Sequence, residues 1–455
     1  MCESLRKMIC ALGTQFCLLA FCGGISASDV IANVWRKGAL HTHTIWSDGA
    51  SLPEVAVKAY KDCGYDFMCI TDHNSYPDLT DIWLPVCEEA GPWPTNFTGK
   101  ELERSRKLLP GVVEERTIGL RTFVRLKTLK DLRNLFQEEN RFLLIGGEEI
   151  TVMYQLLEDG GRHEYHFNTF NLEKHLEPLG GKTADEVVSL NLAQYCENTA
   201  NAPQHSLLTV NHPFWRAWDV NPMVLINHPE IRFFEVCNND GIIPEDRIFS
   251  IEKFWDFVLA HRIIRGHGVV YATASDDAHY YDPVRSHEKA GIDHGWVMVR
   301  CPGAMTPETL AAAMNKGDFY ASCGVQFDDV RFDEESGILR VSVKAVPGVK
   351  YSIRFIATKR NFDRTIAEKD FPNELPRHFR RLPAIPDSVG QTVKQVAGTE
   401  GAYTLGKDDL YVRAVAVSDR AGRIRGHHYP ETERAWTQPY LNEFVSAQRP
   451  SGNSR

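Results

Sequence analysis

Short apolar runs that stop abruptly at ionisable residues recur along the first two-thirds of this 455-residue chain, and they restrict its fold more than any other feature. One ends in Ala39-Leu40-His41-Thr42-His43, and the next, Asp66 to Thr71, ends at Asp72-His73. Phe142 to Ile145, Tyr165 to Asn171, Ser206 to Val210, Phe233 to Cys237 and Val269 to Thr273 follow, each giving way at once to polar or ionisable residues. Apolar runs of this length read as strands. Between the first two, Ser51-Leu52-Pro53-Glu54 has the spacing of a capping box with proline in the first turn. Val55, Ala56, Ala59 and Tyr60 then form an apolar stripe, and Gly64 stops the helix. The unit is βαβ, with polar residues at the carboxyl ends of its strands, where α/β barrels place their active sites.

The histidines are bunched in the same region. Fourteen of the 17 lie between His41 and His294, and only His378, His427 and His428 follow. Alternation along a strand puts His41 and His43 on one side, able to share a cation, although His-x-His alone recurs by chance in most sequences. Asp48, in Ser47-Asp48-Gly49, reads alone as a turn residue. Thr71-Asp72-His73-Asn74 is poor core material. In Gly146-Gly147-Glu148-Glu149-Ile150-Thr151 a carboxylate follows a strand, and its two oxygens suit two neighbouring cations. Ser275-Asp276-Asp277-Ala278-His279 puts Asp277 and His279 on one side of an extended segment. His166 and His212 complete the series. Packing does not explain so many ionisable strand ends, because buried charges cost several kcal/mol unless they are paired or bound to metal.

The stretches LHTHTIWSDG, ITDHN, GGEEIT, YHFN, VNHPF and SDDAH resemble, in order and approximate spacing, the PHP (polymerase and histidinol phosphatase) superfamily. The resemblance spans about residues 38 to 325 and includes GWVMVR and GDFYASCGV. The N-terminal segment, the β-rich tail and AWTQP are further similar to secreted members of the carbaryl-hydrolase-like (CehA/McbA) branch. The resemblance implies an α/β fold, a distorted (β/α)7 barrel followed by a smaller C-terminal β-sandwich-like domain, and a trinuclear metal site. It implies one metal on His41, His43, Glu149 and Asp277, and a second shared through Glu149 with His166 and His212. A third would sit on Asp48, His73 and His279. The family spacing selects Glu149 over Glu148. Two or three divalent ions (Zn, Mn or Fe) would then activate water, with a metal-bridging hydroxide attacking phosphorus or a carbonyl carbon.

Asp72 is expected to orient His73, with similar roles or plain capping for Asp276 and Asn168. His267, in Gly266-His267-Gly268, is a candidate substrate contact. A small phosphate ester is the expected substrate, and carbamate, ester or amide hydrolysis is the alternative. An ordinary amidohydrolase barrel also opens with His-x-His but does not call for TDHN or the last Asp-x-His. A non-catalytic carbohydrate- or surface-binding protein would be expected to have lost ligand positions.

Composition bounds the rest. A net charge of −9 with no long basic run disfavours nucleic acid as a main partner. Residues 1–27 read as a signal peptide: Arg6 and Lys7 precede an apolar run from Met8 to Cys22, then Gly23-Gly24-Ile25-Ser26-Ala27. The run is too short to span a bilayer, so secretion or periplasmic export is expected. Lipid anchoring at Cys22 is disfavoured by the bulky Phe21. Seven cysteines remain after Cys22, scattered and without a CxxC pair, which indicates neither a zinc knuckle nor a disulfide framework. The catalytic domain is read as 28–325. Within it, 79–128 carries four prolines and Arg104, Arg106, Arg116, Arg121 and Arg125. It is read as an insertion over the barrel mouth, a lid or surface elaboration whose arginines would suit an anionic phosphate. From 326 to 445 the pattern turns to short alternating strands, and 446–455 reads as a disordered tail.

Overall fold

The computed structural model describes residues 34–89, 91, 97–157, 162–238, 249–281, 291–371, 380–422 and 432–442. The signal-peptide segment with Cys22, and the tail 446–455, lie outside the described residues. Among the described residues no helix is long and apolar enough to cross a membrane.

The ionisable-ended runs are strands. The first group comprises β1 (Trp35–Ala39), β2 (Phe67–Ile70) and β3 (Leu143–Gly146), with β1–β2 and β2–β3 parallel. The second comprises β4 (Glu149–Leu156), β5 (Arg162–Phe170), β6 (Leu207–Val210), β7 (Phe233–Asn238) and β8 (Tyr271–Ser275). Here β6–β7 and β7–β8 are parallel, but β5 runs antiparallel to both β4 and β6. Strands β9 (Trp296–Arg300) and β10 (Phe319–Ser322) continue the first sheet, with β9 antiparallel to β1.

This mixed α/β arrangement corrects the expectation of a (β/α)7 barrel: among the described residues no closed barrel forms. Strands β4 and β5, separated by five residues in the sequence, pair as an antiparallel ribbon. Among the described residues, β-bridge pairing between the two sheets is limited to the single bridges Thr42↔Ala278 and His73↔Glu149. The ladder cannot continue at these seams because Asn74 (φ 44°) and Asp277 (φ 50°) have left-handed backbones. Most of the candidate ligands sit where strand pairing stops, while Glu149 and His166 lie within the β4–β5 ladder, paired with Asn168 and Thr151.

The helix Pro53–Asp62 forms as its stripe predicts, burying Val55, Ala56 and Tyr60, with Gly64 at φ 73° just past its end. Its start differs from expectation. Leu52, not Ser51, is the N-cap, and no side chain caps it. Pro53 at the first turn, with φ preset for a helix, starts it instead.

Within 79–128, Trp83–Pro85, Glu115–Ile118 and Arg121–Arg125 form a separate three-stranded sheet, with the helix Gly99–Leu108 alongside. After Gln326, Phe327–Asp333, Ile338–Val343 and Glu400–Thr404 form a second antiparallel sheet. It packs through Leu339 and Val341 on Ile353, Phe355, Val412 and Ala414 of the large sheet. That large sheet is continuous with the first: Thr432–Thr437 pairs with β10. Gln438 of AWTQP bonds both the N–H and the carbonyl of Ala272, so the C-terminal strands brace β8 directly.

Candidate metal centre

Nine ionisable side chains from separate parts of the chain meet at one end of these strands: His41, His43, Asp48, His73, Glu149, His166, His212, Asp277 and His279. Their ligand atoms form four overlapping groups, each with all atoms within 4.8 Å of one another: His43/Asp48/His73/His279, His41/His212/Asp277, His41/His43/Glu149 and His73/Glu149/His166. The partition differs in detail from the one the family resemblance implies. His43 joins Asp48, His73 and His279, and His212 falls with His41 and Asp277 rather than with His166.

Strand geometry delivers these residues. His41 and His43 follow β1 one strand period apart, and His166 stands two residues from Glu164 on β5, on the same face. Gly147 lets the chain turn from β3 into β4, since a Cβ there would lie 2.1 Å from the Thr169 carbonyl oxygen. Alternation then sends Glu148 and Glu149 to opposite sides. Glu149 enters the cluster, while Glu148 is held elsewhere by the His175 ring (2.7 Å) and the Leu176 N–H (2.6 Å).

Glu149 is the hub. Its Oε1 lies 2.9 Å from His166 Nδ1 and accepts from Asn211 Nδ2 at 2.7 Å, and its Oε2 lies 2.7 Å from His73 Nδ1. His43 Nε2 is 2.9 Å from Asp277 Oδ1. His279 holds the Asp277 carbonyl through Nδ1 (2.9 Å), leaving Nε2 at 3.2 Å from Asp48 Oδ1. His212 has φ 23°, a strained backbone of the kind that collects at functional sites.

Charges in the cluster shift one another strongly. Burial alone would lower the His41 pKa, but the carboxylates of Asp277, Glu149 and Glu235 outweigh it and raise it well above the usual imidazole value. For His166, Glu149 likewise overcomes burial and lifts the pKa to about 10. His43 goes the other way, down to about 4, through burial and the neighbouring rings of His279 and His73. Burial would raise Glu149 and Asp277, yet the surrounding imidazoles hold both well below the ordinary carboxylate range.

The donor set fits divalent cations. His41 Nε2, His166 Nε2 and Glu149 Oε2 are buried and make no directed hydrogen bond. Buried polar atoms left that way are costly, and imidazole and carboxylate donors at this spacing suit Zn, Mn or Fe.

Two of the assigned roles are corrected. Asp72 does not orient His73. Its carboxylate accepts from the Thr44 N–H (2.6 Å), Thr44 Oγ1 (2.8 Å) and Ser47 Oγ (2.6 Å), tying down the loop that carries His43 and Asp48. Burial raises its pKa to about 6 despite those bonds. The His73 ring is held instead by Thr151 Oγ1 at 2.6 Å. His267 is not brought to the cluster: it precedes the amino end of β8, opposite the end that carries Asp277 and His279, and its Nδ1 faces the Ile226 carbonyl. Asp276 takes a capping role, accepting the N–H groups of Asp293, His294 and Gly295, and Asn168 Nδ2 donates to the Leu40 carbonyl. The arginines of 79–128 do not line the cavity: Arg106 pairs with Glu115, Arg125 with Glu114 and Asp131, and Arg116 lies over Trp83.

Sequence reasoning missed Glu235. Its Oε1 lies 2.9 Å from His41 Nδ1 and is also bonded by Ser275, and its Oε2 accepts the His212 N–H at 2.7 Å. The signal was a lone carboxylate inside the apolar run Phe233 to Cys237. Asn211 and Asn238 were also missed. Asn238 Nδ2 reaches both Glu235 (2.8 Å) and Asp277 (3.2 Å).

No family model matches the chain, and no curated protein matches it. Among solved structures it is similar to the crystal structure of a two-domain protein containing a predicted PHP-like metal-dependent phosphoesterase from Bacteroides vulgatus. The identity is 16%, with 84% of this chain and 90% of that chain covered and a TM-score of 0.35. Likeness at that level carries no weight in assigning function, which rests on the side chains above.

Proposed function

We propose that the chain is a metal-dependent hydrolase of phosphate esters, exported by its N-terminal segment. The observation that supports this most is the convergence of nine candidate ligands, far apart in sequence, in one cluster, six of which line the cavity beside it. Divalent cations in these groups would lower the pKa of water and neutralise charge on the substrate's oxygens, which suits a phosphoryl centre. The chain's own residues keep the donors aimed. Glu235 holds His41 by Nδ1 and leaves Nε2 facing the cluster, the carboxylate–histidine pairing common behind metal-bound imidazoles. Asn211 and Thr151 fix Glu149 and His73 in the same way.

The test is metal analysis of the purified chain together with a panel of aryl phosphates, phosphodiesters and aryl carbamates, assayed with Mn²⁺ or Zn²⁺. Bound metal and phosphate-ester turnover, both lost in His41→Ala and Asp277→Asn, are expected. Turnover confined to the carbamates would move the chain to the carbamate hydrolases. A metal-free, inert preparation that binds glycans would make it a binding module.

A further inference from the structure

We propose that the substrate is a phosphodiester bearing a flat aromatic group, which seats against Trp46, Met153 and Trp215 beside the metal-ligating cluster. This rests on the hydrolase reading above and specifies the substrate of the same site.

The cavity over the cluster encloses about 640 Å³. Pockets of roughly 300–1,000 Å³ take drug-sized molecules, so a bare phosphoryl group would leave most of this one empty. One wall is built from the candidate ligands. The rest is mixed: two indoles and a thioether offer apolar faces to a ligand, beside Ser47, Asn74, Ser75, Thr151 and Glu164. The Trp215 ring is mounted on the cluster itself, 5.3 Å from His166 and 5.2 Å from His212 between ring centroids. Trp46 is buried, and its indole N–H is tied to the Lys127 carbonyl (3.1 Å), which fixes its ring at the cavity edge. Met153 is 62% exposed at that edge, a large apolar side chain that a ligand would cover. Thioethers and indoles both pack well against aromatic faces.

Charge selects the ester type. Beyond the candidate ligands, the charged side chain among the described lining residues is the Glu164 carboxylate, and none is lysine or arginine. A monoester dianion brings its second negative charge towards Glu164, with no lining cation beyond the metals to meet it. A diester carries one charge and replaces the other with a group that can be buried. In the reaction, the oxygen of water bonds to phosphorus and the phosphorus–oxygen bond to the leaving alcohol breaks. The products are a phosphate monoester and that alcohol, with the water's protons shared between them and solvent.

The experiment uses the full metal-loaded chain with phenyl 4-nitrophenyl phosphate, methyl 4-nitrophenyl phosphate and 4-nitrophenyl phosphate. The two diesters share a leaving group, so the phenyl-to-methyl ratio of kcat/KM, compared between wild type and variants, isolates the seat from intrinsic reactivity. That ratio should fall about tenfold in Met153→Ala and in Trp215→Ala, mainly through KM, as the loss of most of one ring's apolar contact implies. A kcat/KM unchanged for both diesters in both variants overturns the aromatic seat, since each diester carries a ring that could fill it, while turnover of both diesters leaves the hydrolase reading standing. Preference for the monoester over both diesters overturns the charge argument and the proposal with it. No turnover of any phosphate by metal-replete protein sinks the phosphoesterase reading itself. Met153, exposed at the edge, keeps the test decisive should Trp215→Ala fail to fold.

Discussion

Replacing Glu54 by glutamine should stabilise this protein at high pH and leave it nearly unchanged at low pH. Glu54 is fully buried in the first turn of the helix Pro53–Asp62, and neither of its carboxylate oxygens has a hydrogen-bond partner from another residue. The nearest cation, Lys127 Nζ, is 3.9 Å away and bonds Glu114 at 2.8 Å. Burial therefore dominates and lifts the Glu54 pKa from 4.5 to about 7, with its own backbone N–H and Lys127 opposing only in part. The sign follows from the raised value. Below pH 4.5 both folded and unfolded chains hold the proton. Between 4.5 and 7 the unfolded chain releases it first, so stability falls as pH rises, and above 7 the loss is complete. A shift of this size corresponds to about 3 kcal/mol, or about 3–4 °C in Tm for a chain of this length. Glutamine resembles the protonated acid in shape and leaves Lys127 with Glu114. Urea denaturation of wild type and Glu54→Gln at pH 5 and pH 9 should give a difference that grows to about 2–3 kcal/mol at the higher pH. An equal difference at both pH values would refute the reasoning.

Glu235→Gln should weaken metal binding by about 10- to 100-fold, because it replaces the carboxylate that holds His41 Nδ1; titration calorimetry measures it, and unchanged affinity would show that the contact does not aim the ring. Because Glu149 lifts the His166 pKa to about 10 and the neighbouring carboxylates raise that of His41, Zn²⁺ binding at pH 7 should release protons, read from the dependence of the calorimetric enthalpy on buffer. Binding without proton release would place the metal elsewhere. Gly147→Ala should cost about 1–3 kcal/mol and reduce metal content, since its Cβ would meet the Thr169 carbonyl and displace the start of β4; a variant as stable and metal-replete as wild type would contradict that packing.

Much of the site was legible because its ligands follow local strand geometry. His41 and His43 share a side through a period of two residues, and each run stops at a polar end; Asp277 and His279 come together although the left-handed backbone of Asp277 breaks that alternation. The choice of Glu149 over Glu148 rested on the spacing of a resemblance, and the alternation of β4 now supplies its physical cause. Asp72, His267 and Glu235 were not legible. Asp72 touches residues more than twenty positions away, Thr44 and Ser47, rather than its neighbour His73. His267 follows the same local rules as the ligands but precedes its strand instead of following it. Glu235 sits inside an apolar run, where sequence alone cannot distinguish a buried partner from an incidental charge.

The sequence by itself determined most of the segments that become strands and most of the side chains that gather near their ends, though not β4, since backbone sterics and side-chain alternation act within a few residues. Only the tertiary structure decided how the strands pair, that they form two sheets meeting at seams rather than a closed barrel, and which carboxylate stands behind which imidazole. Those choices depend on contacts between residues tens to hundreds of positions apart, such as His41 with Glu235 and Gln438 with Ala272, and no local pattern encodes them.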